Sequence, residues 1–151
     1  MKPNEKWKVI VVLIIIIPSI YLAFEFLRPH NIEIDKIAYV TVVIDGDTFD
    51  VSTGERVRLA DINTPEIGKD GYFEAKNQLR ILIENKQVYL DIDDKYRIDN
   101  HSRLVCLVYV EYNSTHLINV NQALLDLQVA IIWDHDNEFN PSDWKLFYPR
   151  K

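Results

Sequence analysis

At 151 residues the chain has room for one domain with a real core plus one short additional segment, and is too short to expect two domains. The formal net charge of −6, from 17 Lys and Arg against 23 Asp and Glu, excludes a protein that coats nucleic acid through a broad basic surface, a mode that needs many cations to neutralise phosphates. It leaves open an enzyme that brings its own cation to a phosphate and concentrates a few arginines in one cleft.

The first element in chain order is apolar. Residues 9–24 are almost unbroken aliphatic sequence, preceded by Lys2, Lys6 and Lys8 and interrupted by Pro18 and Ser19. A bilayer core needs roughly 20 apolar residues, and residues 7–27 reach that length if Glu25 snorkels to the interface. The expectation is an N-terminal transmembrane helix within residues 1–28. A cleaved signal peptide is the alternative, and the small-residue cleavage pattern is poorly matched by Tyr21-Leu22-Ala23-Phe24. Lysines before the segment and Glu33 and Asp35 after it place Met1 in the cytoplasm and the domain outside, as a single-pass protein of the cell membrane, or as a secreted one after signal cleavage. Residues 29–36, which include Pro29, form a linker, and residues 37–151 form the folded domain.

From there the pattern is of short strands over 38–44, 48–52 and 56–62, rich in Val, Ile and Leu. Asp45-Gly46 and Thr53-Gly54 lie between them, as hairpin turns that favour positive φ would require. Tyr72, Ala75, Leu79, Leu82 and Ile83 then recur at helical spacing, with Asp70-Gly71 as the start signal and Asn85-Lys86 at the exit. Val88, Leu90 and Ile92 alternate as a half-buried strand, and after a polar loop over 93–102 a fifth strand runs over 104–112, with the only cysteine, Cys106, inside it as a core residue. Asn119 followed by Gln122 resembles a capping box for a second helix carrying Val120, Ala123, Leu124 and Leu127 on one face. Trp133, Trp144, Phe147 and Tyr148 in the tail are expected to cover the core, and Asp134-His135-Asp136 to form a solvated acidic loop. The order β-β-β-α-β-β-α gives the expected fold class, mainly β with α: a small, partly open β-barrel of the OB type, with five strands and two to three helices.

Three segments carry chemistry. Asp45-Gly46-Asp47 places two carboxylates two residues apart where a strand leaves a turn, and clustered oxygens of this kind bind hard cations. Taken alone, the same tripeptide is an ordinary hairpin turn. Residues 58–66 (RLADINTPE) present an arginine, an amide, a backbone carbonyl and a carboxylate, with Pro65 fixing the backbone so that oxygens of Asn63 and Thr64 are held in place. Glu66 is the group to accept a proton from an attacking water, and Arg58 offers a planar fork for phosphate oxygens. The loop over 97–103 delivers a second arginine, Arg103, at the start of a strand. Two arginines and a cation would neutralise a phosphorane-like transition state more strongly than the ground-state diester.

Together VIDGDT at 43–48, VRLADINTPE at 57–66, RIDNHSR at 97–103 and VNQALL at 120–125 resemble the staphylococcal nuclease, or thermonuclease-like, family, in its order and at sensible spacings. The resemblance implies an OB-fold enzyme that uses Ca2+ to hydrolyse DNA and RNA at the 5′ P–O bond, leaving 3′-phosphate ends. It implies Asp47 as a direct calcium ligand, Thr64 as a backbone-carbonyl ligand, Glu66 as the general base, and Arg58 and Arg103 as phosphate clamps. Asn63 stands where the family pattern has a second liganding aspartate. That keeps an oxygen but removes a charge, so calcium affinity should fall, with Asp45 offsetting part of the loss through a bridging water. Asp61 reads as a solvated or turn carboxylate. The tail lacks a clear match to the tyrosines that family members use to stack a nucleotide, and Trp133 and His135 are the candidate substitutes. The expected partners are DNA or RNA as substrate and a lipid bilayer along residues 7–27. No protein partner is implied and the soluble domain is expected to be monomeric. The competing expectation is a catalytically inactive OB-type binding module tethered to the membrane.

Overall fold

The computed structural model of the chain describes residues 16–20 and 32–150, and the chain divides between Asn31 and Ile32. Residues 16–20 are helical; the rest of the expected anchor over 7–27 lies outside the described residues. Among the described residues no helix is long and apolar enough to cross a membrane.

In the second unit β1 (Lys36–Val43), β2 (Thr48–Val51) and β3 (Arg56–Leu59) form an antiparallel meander, with Val43 opposite Phe49 and Thr48 opposite Arg58. The register slips between Val40 and Val42, a bulge of the kind that bends a strand into a barrel. The two turn glycines serve different ends. Gly54 has φ +94°, as a tight hairpin requires, whereas Gly46 is needed for its lack of a side chain, because a Cβ there would stand 2.6 Å from Thr64 Oγ1 and 2.7 Å from Ala75 Cβ.

The strand expected over 56–62 is broken. Asp61 at φ +52° turns the chain after Leu59, and a separate two-residue strand follows, β4 (Ile62–Asn63). Helix α1 (Tyr72–Ile83) buries Tyr72, Ala75, Leu79 and Ile83, the stripe its spacing predicts. It starts at Gly71 in the left-handed region with no side-chain cap, so Asp70 does not act as one. At its exit Lys86 Nζ donates to the carbonyls of Ile81 (3.0 Å) and Leu82 (2.8 Å), where a cation suits the dipole.

β5 (Gln87–Ile92) and β6 (Leu104–Glu111) continue the sheet in the order β3-β2-β1-β5-β6, and a parallel pairing of β3 with β6 shuts it. The result is a closed five-stranded barrel, consistent with an OB fold, where a partly open one was expected. Val40, Phe49, Val57, Leu79, Leu90, Cys106, Val108 and Leu124 are fully buried inside it. Burial of each large aliphatic or aromatic side chain contributes about 1.5–3 kcal/mol.

Three further strands were not expected: β7 (His116–Asn119) and β9 (Phe147–Pro149) extend the sheet beyond β6, and β8 (Ile131–Ile132) pairs with β4. Helix α2 (Val120–Asp126) has half of the expected capping box, with Asn119 Oδ1 accepting the Gln122 N–H at 3.1 Å while the Gln122 amide turns to Asp126. Of the tail aromatics, Tyr148 is buried edge-on to Tyr109 and Trp144 packs against the core, but Trp133 and Phe147 are exposed.

One prediction follows from the strand β5. Burial, with the charges of Glu138, Asp35, Glu33 and Asp94 around it, pushes Asp91 up to about 7. Its folded value is raised above about 4 for an unfolded aspartate, so its stabilising share is complete below about pH 4 and lost as pH rises through about 7. Asp91→Asn should therefore be more stable than the parent at pH 8, by on the order of 2 kcal/mol after discounting for solvent screening at this partly exposed carboxylate, and nearly equal to it at pH 4. Parallel thermal melts at the two values check this, and a constant difference would contradict it.

Candidate active site

The fold brings the predicted residues to one cleft. The β1–β2 turn supplies Asp45 and Asp47, β3 supplies Arg58, the end of β4 supplies Asn63 and the chain just after it Glu66, and the loop before β6 supplies Arg103. All six line a cavity of about 620 Å³. Thr64 sits behind them, buried against Asp47.

Asp47 is the pivot. Only 6% exposed, it accepts from the Thr64 N–H (3.0 Å) and Thr64 hydroxyl (2.9 Å) on Oδ2, and from the Thr48 hydroxyl (3.1 Å) on Oδ1. Arg58 Nη2 lies 3.4 Å from the same Oδ2. Burial pushes the Asp47 carboxyl above the usual range; Arg58 opposes this, Asp45 adds to it, and the Thr64 bonds hold it down. Asp45 shapes the turn by accepting the Asp47 N–H at 3.1 Å. Thr64 thus meets Asp47 through its N–H and hydroxyl.

Arg58 is held from three sides. Nη1 donates to the Leu59 carbonyl (2.7 Å), and Nη2 to the Ile62 carbonyl (2.8 Å) and to Asn63 Oδ1 (3.3 Å). These bonds span the β3–β4 turn, so the arginine fixes the backbone that presents Asn63, Thr64 and Glu66. Burial lowers its pKa, with Asp47 opposing, and an arginine stays charged throughout.

Arg103 is oriented by Asp99, four residues earlier, through Nε (2.8 Å) and Nη2 (2.7 Å) to Oδ2. Its Nη1 donates to Thr48 Oγ1 at 3.3 Å, so one hydroxyl links Arg103 to Asp47. Glu66 is exposed at the mouth, and among the described residues its carboxylate has no hydrogen-bond or ion-pair partner. A carboxylate so placed is available to a water.

The structure adds residues that the motifs did not single out. Thr48 and Asp99 orient the clamp, and the buried amide of Asn121 ties the β3–β4 turn to β6 and α2, donating to the Ala60 carbonyl (2.9 Å) and accepting the Val108 N–H (3.1 Å). Asp61, expected as a solvated or turn carboxylate, sits in the turn but is only 2% exposed. Asp134, His135 and Asp136 are exposed, with Asp136 paired to Lys95, and His135 stacks on Trp133 at 5.6 Å along the same cleft.

The donors at the turn are all oxygens, from Asp45, Asp47, Asn63 and Glu66, and this chemistry fits a hard cation and not a soft one. In number they fall short: among the described residues no group of three His, Cys, Asp or Glu side chains is gathered to hold a metal ion. Asn63 accounts for part of the shortfall, being neutral and already sharing its oxygen with Arg58.

Comparison with known proteins identifies the family. The family described as "Staphylococcal nuclease homologue" matches residues 56–147, a span that includes Arg58, Asn63, Thr64, Glu66 and Arg103 and begins after Asp45 and Asp47. A micrococcal nuclease from Shigella flexneri is 30% identical over 115 residues, covering 72% of this chain and 63% of that protein, so the chain spans less than two thirds of that relative's length. With the closed barrel and the arginine-carboxylate cleft already in place, a match over most of the folded unit means that this chain belongs to the staphylococcal nuclease family.

Proposed function

We propose that the chain is a calcium-dependent nuclease that hydrolyses phosphodiester bonds of DNA, RNA or both. The observation that carries this reading is the convergence of Arg58 and Arg103 with Asp45, Asp47 and Glu66 on one cleft. A retired barrel would need none of these side chains there. Calcium held by Asp47, the Asn63 oxygen and the Thr64 carbonyl, with Asp45 acting through a water, would add positive charge beside the phosphate.

The remaining work belongs to the chain. Glu66 takes a proton from the attacking water as its oxygen bonds to phosphorus. Arg58 and Arg103 take up the charge that grows on the phosphoryl oxygens; both are held in place before substrate arrives, so little reorganisation opposes the step. The P–O5′ bond breaks, the leaving oxygen collects a proton from solvent, and the phosphate stays on the 3′ end. Lysines before residues 7–27 and acids after them support tethering of this activity at the outer face of a membrane.

Asn63 favours one alternative, a binding module that holds nucleic acid without cutting it. The titration that separates the two compares cleavage of single-stranded DNA and RNA by the full chain and by Asn63→Asp over micromolar to millimolar calcium. The added carboxylate should move half-saturation to lower calcium by about tenfold. Coincident curves would contradict the proposed shell, and folded protein that cuts at no calcium level would leave the binding module.

A further inference from the structure

The cleft is more acidic than the clamp and a cation require. Its lining holds seven carboxylates against two arginines, Arg58 and Arg103, and no lysine among the described residues. Three of the seven are paired: Asp47 with Arg58, Asp99 with Arg103 and Asp136 with Lys95. Asp45, Asp61, Glu66 and Asp93 have no ion-pair partner among the described residues. A divalent cation would offset part of this charge and leave the carboxylates still in excess.

The surroundings have the same sign. Asp93 Oδ1 accepts the Glu138 N–H at 3.1 Å, and Glu138 Oε1 accepts the Asp94 N–H at 2.7 Å, which ties the cleft wall to a second acidic group. Within that group burial, and then the charges of Glu138, Asp35, Glu33 and Asp94, raise Asp91, as a negative potential should. On the other side of the 97–103 loop two cations are already neutralised. Arg56 donates to Asp50 at 2.6 and 3.0 Å, and Lys36 is paired with Glu55. A protein that grips a single strand along its length needs a row of cations for successive phosphates, and among the described residues neither of these flanks offers one.

We propose that the cleft takes short oligonucleotides, a few nucleotides long, engaging one phosphodiester at a time and drawing no grip from the flanking phosphates of a polymer. This rests on the nuclease reading of the cleft and names its substrate class. The two arginines converge on one phosphate, and the cavity of about 620 Å³ lies in the range that encloses a small molecule. A second phosphate falls within a Debye length of the first, about 10 Å at 0.1 M salt, so it feels the unpaired carboxylates of the rim. Each nucleotide added to the substrate therefore brings repulsion in place of a contact.

The test uses the full chain in mild detergent with millimolar calcium, and compares cleavage of a thymidylate tetramer with that of a hexadecamer. Counted per phosphodiester bond, kcat/KM is expected to agree within threefold between the two lengths. Its logarithm should fall against the logarithm of NaCl concentration with a slope no steeper than about −0.7, the value for one phosphate contact on a single strand. Asp136→Lys is an exposed change that reverses one rim charge and releases Lys95, and it should raise the hexadecamer-to-tetramer ratio at least threefold. Three results overturn the substrate class and leave the nuclease reading standing: a parental ratio of tenfold or more, a salt slope of about −1.4 or steeper, or an Asp136→Lys ratio equal to the parent's. A parent that cuts neither length in calcium overturns the nuclease reading, and the substrate class falls with it.

Discussion

Replacing Glu66 by Gln is expected to lower the cleavage rate by about 10²- to 10⁴-fold while leaving the melting temperature unchanged. The side chain keeps its size and loses only the ability to take a proton. Because Glu66 is exposed and unpartnered among the described residues, its folded-state interactions are few, and surface changes of this kind fall within about 0.5 kcal/mol. Rate and stability therefore separate cleanly at this position. Steady-state kinetics and a thermal melt on one preparation check the claim. A variant retaining activity within threefold would remove Glu66 from the mechanism, and a fall in stability equal to the fall in rate would make it structural.

Arg58 should behave in the opposite way, with rate and stability falling together. Arg58→Ala leaves Asp47 buried with no ion-pair partner among the described residues and frees the carbonyls of Leu59 and Ile62. Removing one partner of a buried pair costs about 3–5 kcal/mol, and losing one charged donor to the transition state costs a further factor of about 10²–10³ in rate. Arg58→Lys discriminates between the two losses. It keeps a charge for Asp47 but cannot reproduce a fork that bonds Leu59, Ile62 and Asn63 at once, so stability should largely recover while the rate does not. Chemical denaturation and kcat/KM on both variants measure this. Full catalytic rescue by lysine would mean that Arg58 acts as a point charge alone.

Much of the molecule was legible because local pattern and tertiary need agree. Val88, Leu90 and Ile92 alternate in sequence and are buried in the barrel; Tyr72, Ala75, Leu79 and Ile83 fall on one helical stripe. Asp45, Asp47, Arg58, Asn63, Glu66 and Arg103 stood out because the turn at 45–47, the 58–66 segment and the 97–103 loop concentrate carboxylates and arginines at the borders of apolar strands, and the fold brings all six to one cleft. The elements that escaped have no local signature. Strands β4 and β8 are two residues each and exist because Ile62 and Asn63 meet Ile132 and Ile131, far apart in sequence. Closure of the barrel depends on β3 meeting β6, a long-range pairing that no residue pattern announces. Asp61 looked like an ordinary polar turn residue, and only the arrival of the tail over it makes it buried. Thr48 and Asp99 escaped because each supports a functional group across a loop; Asp99, four residues before Arg103, carried the one usable hint. Gly46 misled more subtly. Its place in an Asp-Gly turn suggested conformational freedom, whereas the constraint is the close approach of Thr64 and Ala75.

The central claim is that this cleft cuts phosphodiester bonds with the help of a hard cation. Its most direct measurement is the rate at which the full chain in mild detergent degrades single-stranded DNA in millimolar calcium, then in excess chelator, then in calcium restored. The predicted result is cleavage that stops with chelator, returns with calcium, and leaves 3′-phosphate ends. Folded protein that cuts equally well in chelator, or not at all in calcium, would contradict it.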